Sequence, residues 1–100
     1  MSTINKIEIL ESGVVQVRIN KKAKPGHEED RDCWGSHRMA MEPGADIDRG
    51  QDIVNEHFAV MGVQDIPNEE WAKVKAYASL AHTDEVIAAW AAHVEAQSLV

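Results

Sequence analysis

The spacing of the apolar residues changes at one point of the chain, and this change limits the fold more than any other feature. Before Met41–Asp48 apolar residues alternate with polar ones, and after it they recur every three to four residues. The first spacing is typical of strands and the second of helices. Pro43-Gly44 marks a turn, because Pro lacks a backbone N–H and Gly tolerates positive φ. We predict a single α+β domain over 1–100, with a β half at 1–42 and an α half at 46–100.

The β half is predicted to be an antiparallel three-stranded sheet over about 3–42. Residues 3–10 alternate imperfectly, 14–20 form the clearest strand, and the two should pair as a hairpin. A third strand is predicted from Cys33 to Glu42. Such a sheet has one apolar face that needs a cover. The residues predicted to face inward are Ile7, Ile9, Val15, Val17, Ile19, His37, Met39 and Met41.

The α half is predicted to supply that cover with two or three helices, packed by their apolar stripes. The predicted helices span about 50–62, 68–82 and 83–97. Asp48, Asn68 and Thr83 are the expected N-caps, and Gly62 is expected to end the first helix. The predicted stripes are Ile53, Val54, His57, Phe58 and Met61 on the first helix, Trp71, Val74, Ala78 and Ala81 on the second, and Val86, Ile87, Trp90 and Val94 on the third.

Composition limits the possible partners. The formal net charge of −7 argues against nucleic acid, whose phosphates require clustered Lys and Arg. No run of about 18 apolar residues is present, so we expect no membrane span. Thirteen of the apolar residues are alanines, so the predicted core is thin and a partner or second copy should add stability. The basic residues Arg18, Lys21, Lys22 and Lys24 precede an acidic run, which is typical of a solvated loop.

Potential metal ligands have simpler explanations. Asp46, Asp48 and Asp52 resemble part of a calcium loop. The positions at which such a loop needs Gly and Glu hold Gln51 and His57 instead. None of the five histidines lies four residues from another, as paired zinc ligands on a helix would. We therefore predict no metal, no cofactor and no small-molecule substrate.

Cys33 and His37 are the one pair that suggests a nucleophile and its base. On a strand, residues four apart lie about 13 Å from each other, too far for a hydrogen bond. As the single cysteine, Cys33 has no partner for an intramolecular disulfide. We interpret it as a structural thiol, and we predict no catalytic residues and no enzymatic activity.

Partner contacts are predicted instead at apolar and aromatic residues. Trp34 lies beside the acidic loop and is the best candidate for an exposed anchor, because Trp is enriched at interface hot spots. Trp71 and Trp90 lie on helical stripes and are expected in the core. The predicted interface residues are Trp34, Val15, Val17 and Trp90.

Four phrases of the chain resemble a class of small tailed-phage proteins that are encoded near tail-fibre or other virion structural genes. The phrases are GVVQVR at 13–18, HR at 37–38, PGAD at 43–46 and TDEVIAAW at 83–90. They occur in the order and approximate spacing of that class. The chain departs from it by having KPGH at 24–27 in place of an Asp-Gly hairpin turn, and by an additional helical stretch around 51–66.

The resemblance implies a role in the virion or its assembly. We therefore expect a non-enzymatic structural or adaptor protein of the tail, fibre, baseplate or head. Its partners would be other virion proteins or copies of itself, and its location would be the virion, with the host cytoplasm during assembly. The alternative is a cytoplasmic acidic module for regulation or host takeover that binds a host protein.

Overall fold

The computed structural model describes residues 1–98, which form a three-stranded sheet followed by three helices. This confirms the predicted α+β fold. A short 3₁₀ turn at Arg31–Cys33 lies between the second and third strands. The elements are β1 (Thr3–Ile9), β2 (Val15–Asn20), β3 (Ser36–Met41), α1 (Ile47–Met61), α2 (Asn68–Ala81) and α3 (Asp84–Ser98).

The sheet has the order β1-β2-β3, and both neighbouring pairs are antiparallel. An irregularity in β1 between Ile4 and Lys6 explains the imperfect alternation, because an extra residue there shifts the strand against β2. Ile4 and Ile7, three residues apart, therefore both pack against the core. Ile9 lies opposite buried Val15 and is thus on the inner face as predicted, but at the strand end it is left 44% exposed.

The third strand begins at Ser36, three residues later than predicted, because the chain is still turning at Arg31–Cys33. Cys33 therefore lies in a turn, and the strand geometry assumed for the Cys33–His37 pair does not apply. Along β3 the predicted alternation is correct: His37 and Met39 are half-buried and Met41 is buried.

The N-cap of helix α1 lies two residues before the predicted cap at Asp48. The carboxylate of Asp46 accepts a hydrogen bond from the Arg49 N–H (3.1 Å), so Asp46 is the N-cap. Both aspartates are suitable caps, and the earlier start lets Ile47 pack against the core. The predicted end at Gly62 is confirmed: Gly62 has φ 82° and its N–H bonds the Phe58 carbonyl.

Helices α1 and α2 cover the inner face of the sheet. Val54 and Phe58 are buried from α1, whereas Ile53 and His57 of the predicted stripe are exposed. The predicted stripe of α2 is confirmed, but its N-cap is Pro67 rather than Asn68. The Asn68 side chain instead accepts a hydrogen bond from Gln51 of α1 (3.0 Å). The largest fully buried side chains are Trp71, Phe58, Ile19, Ile66, Val15 and Val17.

Helix α3 contributes no buried residue, although its sequence is strongly apolar. Its start is as predicted, since the Thr83 hydroxyl accepts a hydrogen bond from the Val86 N–H (3.2 Å). Val86, Ile87 and Trp90 of its predicted stripe are half-buried, whereas the other residues of Asp84–Ser98, including Val94, are exposed. The stripe is therefore correct at the start of the helix and wrong at Val94, and Trp90 is not the core residue that was predicted. The radius of gyration is 15.3 Å, against about 13 Å for a compact domain of this length.

Within residues 1–98, no helix is both long enough and apolar enough to cross a membrane.

Candidate functional site

The outer face of the sheet carries a row of three cations. Lys6 of β1 lies opposite Arg18 of β2, and Arg18 lies opposite Arg38 of β3. Lys6 and Arg38 are exposed, and Arg18 is half-buried. We call these three residues the cationic row. They line a shallow groove of about 360 Å³ together with Glu8, Gln16 and Ala40.

The cationic row is electrostatically unfavourable within the chain itself. Like charges directly opposite each other on neighbouring strands destabilise a sheet. Among residues 1–98, no carboxylate lies within 4 Å of these three side chains to form an ion pair. The row is thus a positive strip on a protein of net charge −7. It suits carboxylates or another anionic group supplied by a partner.

The inward residues predicted for β2 and β3 leave Arg18 and Arg38 on the outer face by alternation, but sequence reasoning did not bring the three cations together. That arrangement depends on the register of both strand pairs, which the sequence does not state. Of the four basic residues grouped together from the sequence, Arg18 belongs to the cationic row, whereas Lys21, Lys22 and Lys24 lie after β2 in the connection to β3.

Helix α3 is attached to the rest of the protein mainly by its first turn. The Cγ1 of Val86 occupies the space that a Cβ at Gly13 would need, so the helix rests on the β1–β2 turn. The ring of His82, just before α3, is 2.9 Å from the Gly13 carbonyl. Residues 91–98 are all exposed. The body of α3 therefore offers an uncovered apolar helix face.

The structure changes the set of predicted interface residues. Val15 and Val17 are 0% and 2% exposed in the core, on a central strand whose edges are both paired, so their assignment as partner contacts is wrong. The free strand edges belong to β1 and β3. Trp34 is 50% exposed, and its indole N–H donates to the Glu28 carbonyl. Trp34 and half-buried Trp90 stay predictions as partner contacts.

A second cluster of polar groups lies in the loop between β2 and β3. His27 Nδ1 and Asp30 Oδ2 are 2.8 Å apart, and one ligand atom from each of His27, Asp30 and Cys33 lies within 4.8 Å of the others. Sequence reasoning had considered Cys33 only with His37 and had rejected that pair because of its distance. The signal it missed is the H-x-x-D-x-x-C spacing, which three-residue turns bring onto one side.

The Cys33 thiol is buried and donates a hydrogen bond to the Met61 carbonyl (3.0 Å). Burial, and next the negative charge of Asp30, raise the pKa of this thiol. A catalytic cysteine needs the opposite, a lowered pKa and some access. This environment favours a structural thiol over a nucleophile.

His37 occupies the inner face of β3. Its ring lies 5.6 Å from that of His57 and 5.3 Å from that of Phe58, with the latter pair edge to face. Burial, and next the neighbouring His57, lower the pKa of His37. The neutral imidazole is therefore the form that fits this packing.

Glu70 joins α2 to the first strand. Its carboxylate accepts hydrogen bonds from Lys73 (2.6 Å) and from the Ile4 N–H (2.9 Å), close to the irregularity in β1. These two donors, the Lys73 bond first, lower the pKa of Glu70. Glu70 thus satisfies a backbone N–H at the point where β1 departs from regular pairing.

Comparisons of the chain with models of protein families, with characterised proteins and with solved structures find no significant match. The function is therefore inferred from the residues and their geometry. The resemblance to small tailed-phage proteins stays a prediction.

Proposed function

We propose that this protein is a non-enzymatic structural or adaptor protein of a tailed-phage particle. It acts by binding other virion proteins or copies of itself. The observation that carries the proposal is α3, an apolar helix of 15 residues with none of them buried by the rest of the chain. The phrases at 13–18, 37–38, 43–46 and 83–90 supply the phage context.

The apolar face of α3 is the first of two contact surfaces. An isolated helix of this length is only marginally stable in water, and most helices in proteins depend on packing of an apolar face. Trp90 and Val94 lie along α3, and Val94 is 45% exposed. A partner that covered them would bury apolar surface that the monomer leaves in water, which favours association.

The outer face of the sheet is the second contact surface. Its cationic row is relieved of like-charge repulsion when carboxylates of a partner lie over it. The unpaired edges of β1 and β3 border the same sheet, so a partner strand can extend the ladder there. Other copies of this chain, each with net charge −7, carry suitable carboxylates, as does any acidic virion protein.

The direct test is the composition of purified phage particles. Mass spectrometry should find this 11.1 kDa chain at a fixed ratio to the other virion proteins. Its absence from particles and from assembly intermediates would refute the structural role.

Two pairs of matched variants test the two surfaces. Val94→Lys should abolish association with particle proteins or self-association, measured by light scattering and pull-down, whereas Val60→Lys on α1 should not. Val60 is a fair control because it is 88% exposed. For the sheet surface, Arg38→Glu should weaken association and reduce its dependence on salt concentration. The control is Arg49→Glu, at an exposed arginine of α1, which should leave both quantities unchanged.

The alternative function is an acidic module that binds a host protein. It is favoured by the exposed carboxylates between β2 and β3. A host protein recovered with the purified chain, together with loss of that complex when these carboxylates become amides, would support this alternative. The acidic residues concerned are Glu28, Glu29, Asp30 and Asp32.

A further inference from the structure

The loop between β2 and β3 arranges three different metal-binding groups on one side. The N–H of His27 bonds the Lys24 carbonyl, that of Asp30 the His27 carbonyl (3.0 Å), and that of Cys33 the Asp30 carbonyl (3.0 Å). The loop therefore makes successive turns, each closed by a backbone hydrogen bond between residues three apart in the sequence. In such turns side chains three apart lie above one another. This is why His27, Asp30 and Cys33 converge, with ligand atoms within 4.8 Å.

We propose that this cluster binds a zinc-type divalent transition-metal ion. An imidazole nitrogen, a carboxylate oxygen and a thiolate sulfur are together typical of zinc and its neighbours. Calcium and magnesium prefer all-oxygen sites and are not expected here. Three protein ligands leave one position for solvent, in keeping with the half-exposed side chains of His27 and Asp30, which are 46% and 58% accessible.

The end of α1 holds two of the three ligands in place. The Cys33 sulfur lies 3.0 Å from the Met61 carbonyl and 3.7 Å from the Gly62 carbonyl. The imidazole of His27 occupies the space beside Gly62, with Nδ1 only 2.5 Å from where a Cβ would be. Both side chains thus lie at the end of α1, Cys33 against Met61 and Gly62 and His27 beside Gly62, so the ligand positions are largely formed without the ion.

The electrostatic surroundings favour a cation. The carbonyl end of a 15-residue helix carries partial negative charge, and Met61 and Gly62 form that end of α1. Exposed Glu28, Glu29 and Asp32 add negative charge from the same loop. When the ion binds, the bond from sulfur to metal replaces the S–H bond, the proton leaves to solvent, and the hydrogen bond to Met61 is lost.

The test uses the full chain freed of metal, with Zn²⁺ in calorimetry and Co²⁺ as a spectroscopic probe. We expect one equivalent of Zn²⁺ to bind and to raise the melting temperature. Co²⁺ should produce a thiolate-to-metal charge-transfer band. Absence of stoichiometric binding at micromolar protein, or a Co²⁺ spectrum without that band, would overturn the proposal.

Variants identify the ligands. His27→Gln and Asp30→Asn change exposed side chains, so both variants should fold normally. Each should weaken Zn²⁺ binding at least about tenfold, because even the loss of a group that only hydrogen-bonds a metal ligand lowers affinity about 10–100-fold. Cys33→Ser should abolish the charge-transfer band. His93→Gln, at an exposed histidine of α3, is the control and should bind like the natural chain. Unchanged affinity in both loop variants would refute this ligand set.

Discussion

Helices α2 and α3 are similar in length but differ in what their side chains do. The first has 14 residues, with charged side chains on its outer surface, and buries Trp71, Val74 and Ala78. The second has 15 residues and is the more apolar, yet buries none. Apolar content therefore does not decide which helix enters the core. The place of each helix in the fold decides it, because α2 lies against the sheet and α3 touches the β1–β2 turn only at its start.

The same contrast shows where the stability of the domain resides. The core is formed by one face of the sheet, by α1 and α2, and by the connecting segment at Val63 and Ile66, both essentially fully buried. The body of α3 lies outside this unit. An apolar helix that the fold does not need for its core is available for a partner, which is the basis of the proposed function.

Replacing one tryptophan on each helix by alanine should give the largest difference in the free energy of unfolding. Trp71 is 1% exposed, and its indole N–H donates to the Ile47 carbonyl (3.1 Å). Trp71→Ala should therefore lower the free energy of unfolding by about 3–5 kcal/mol. Trp90→Ala should lower it by less than about 1 kcal/mol. Urea unfolding followed by circular dichroism measures both. Equal losses would mean that α3 is a core helix after all.

The contact at the start of α3 should give the next largest effect. Gly13 and Gly35 both have positive φ, at 93° and 81°, so alanine is strained at either position. At Gly13 the new Cβ also meets Val86, whereas nothing lies within 4 Å at Gly35. Gly13→Ala should thus cost about 1–3 kcal/mol more than Gly35→Ala in urea unfolding. Adding Val86→Ala should recover part of that excess, and a failure to do so would contradict the contact.

The stabilising contact that Glu70 makes between α2 and β1 should weaken as the pH falls. Because the pKa of Glu70 is lowered in the folded protein, its contribution is fully present above its unfolded pKa and is lost as pH falls through the lower folded value. Glu70→Gln should lower the urea midpoint at neutral pH and flatten the acid limb of the stability curve. Glu69→Gln, at an exposed neighbour, should do neither. Identical curves for the two variants would show that the carboxylate does not hold β1.

The smallest effect is expected at His37. Its lowered pKa means that the unfolded chain binds a proton at a pH where the folded chain does not. Stability should therefore decrease as pH falls below about 6.5, the ordinary value for histidine, until the folded pKa is reached. His37→Gln should reduce this decrease, measured by urea midpoints between about pH 7.5 and 5.5. His93→Gln should retain it, and a reversed slope in the natural chain would refute the assigned environment.

The change of spacing near Pro43 was sufficient to predict the order of the elements and most inward residues of β2 and β3. The irregularity at Ile4–Lys6 could not be foreseen, because it depends on how β1 meets β2 and Glu70. Nor could the incomplete burial of Trp90, since a stripe on a helix does not state how far a neighbouring element covers it. Sequence spacing predicts faces, and tertiary contacts decide which of them are buried.

The two surface features were harder to predict for different reasons. The cationic row requires the register of three strands. The His27–Cys33 cluster requires a turning loop where the pattern predicted the beginning of a strand. Once a three-residue turn is assumed, the spacing of His27, Asp30 and Cys33 is sufficient to place them together.

Gly62 meets two requirements at once, and this restricts what can replace it. Asparagine commonly substitutes for glycine after a helix, because its side chain tolerates the left-handed backbone. Here even a methyl group would lie 2.5 Å from the His27 ring, so any replacement must also displace that imidazole from its place beside the helix end. A saturation library at this codon should therefore be enriched in glycine among its most stably folded clones.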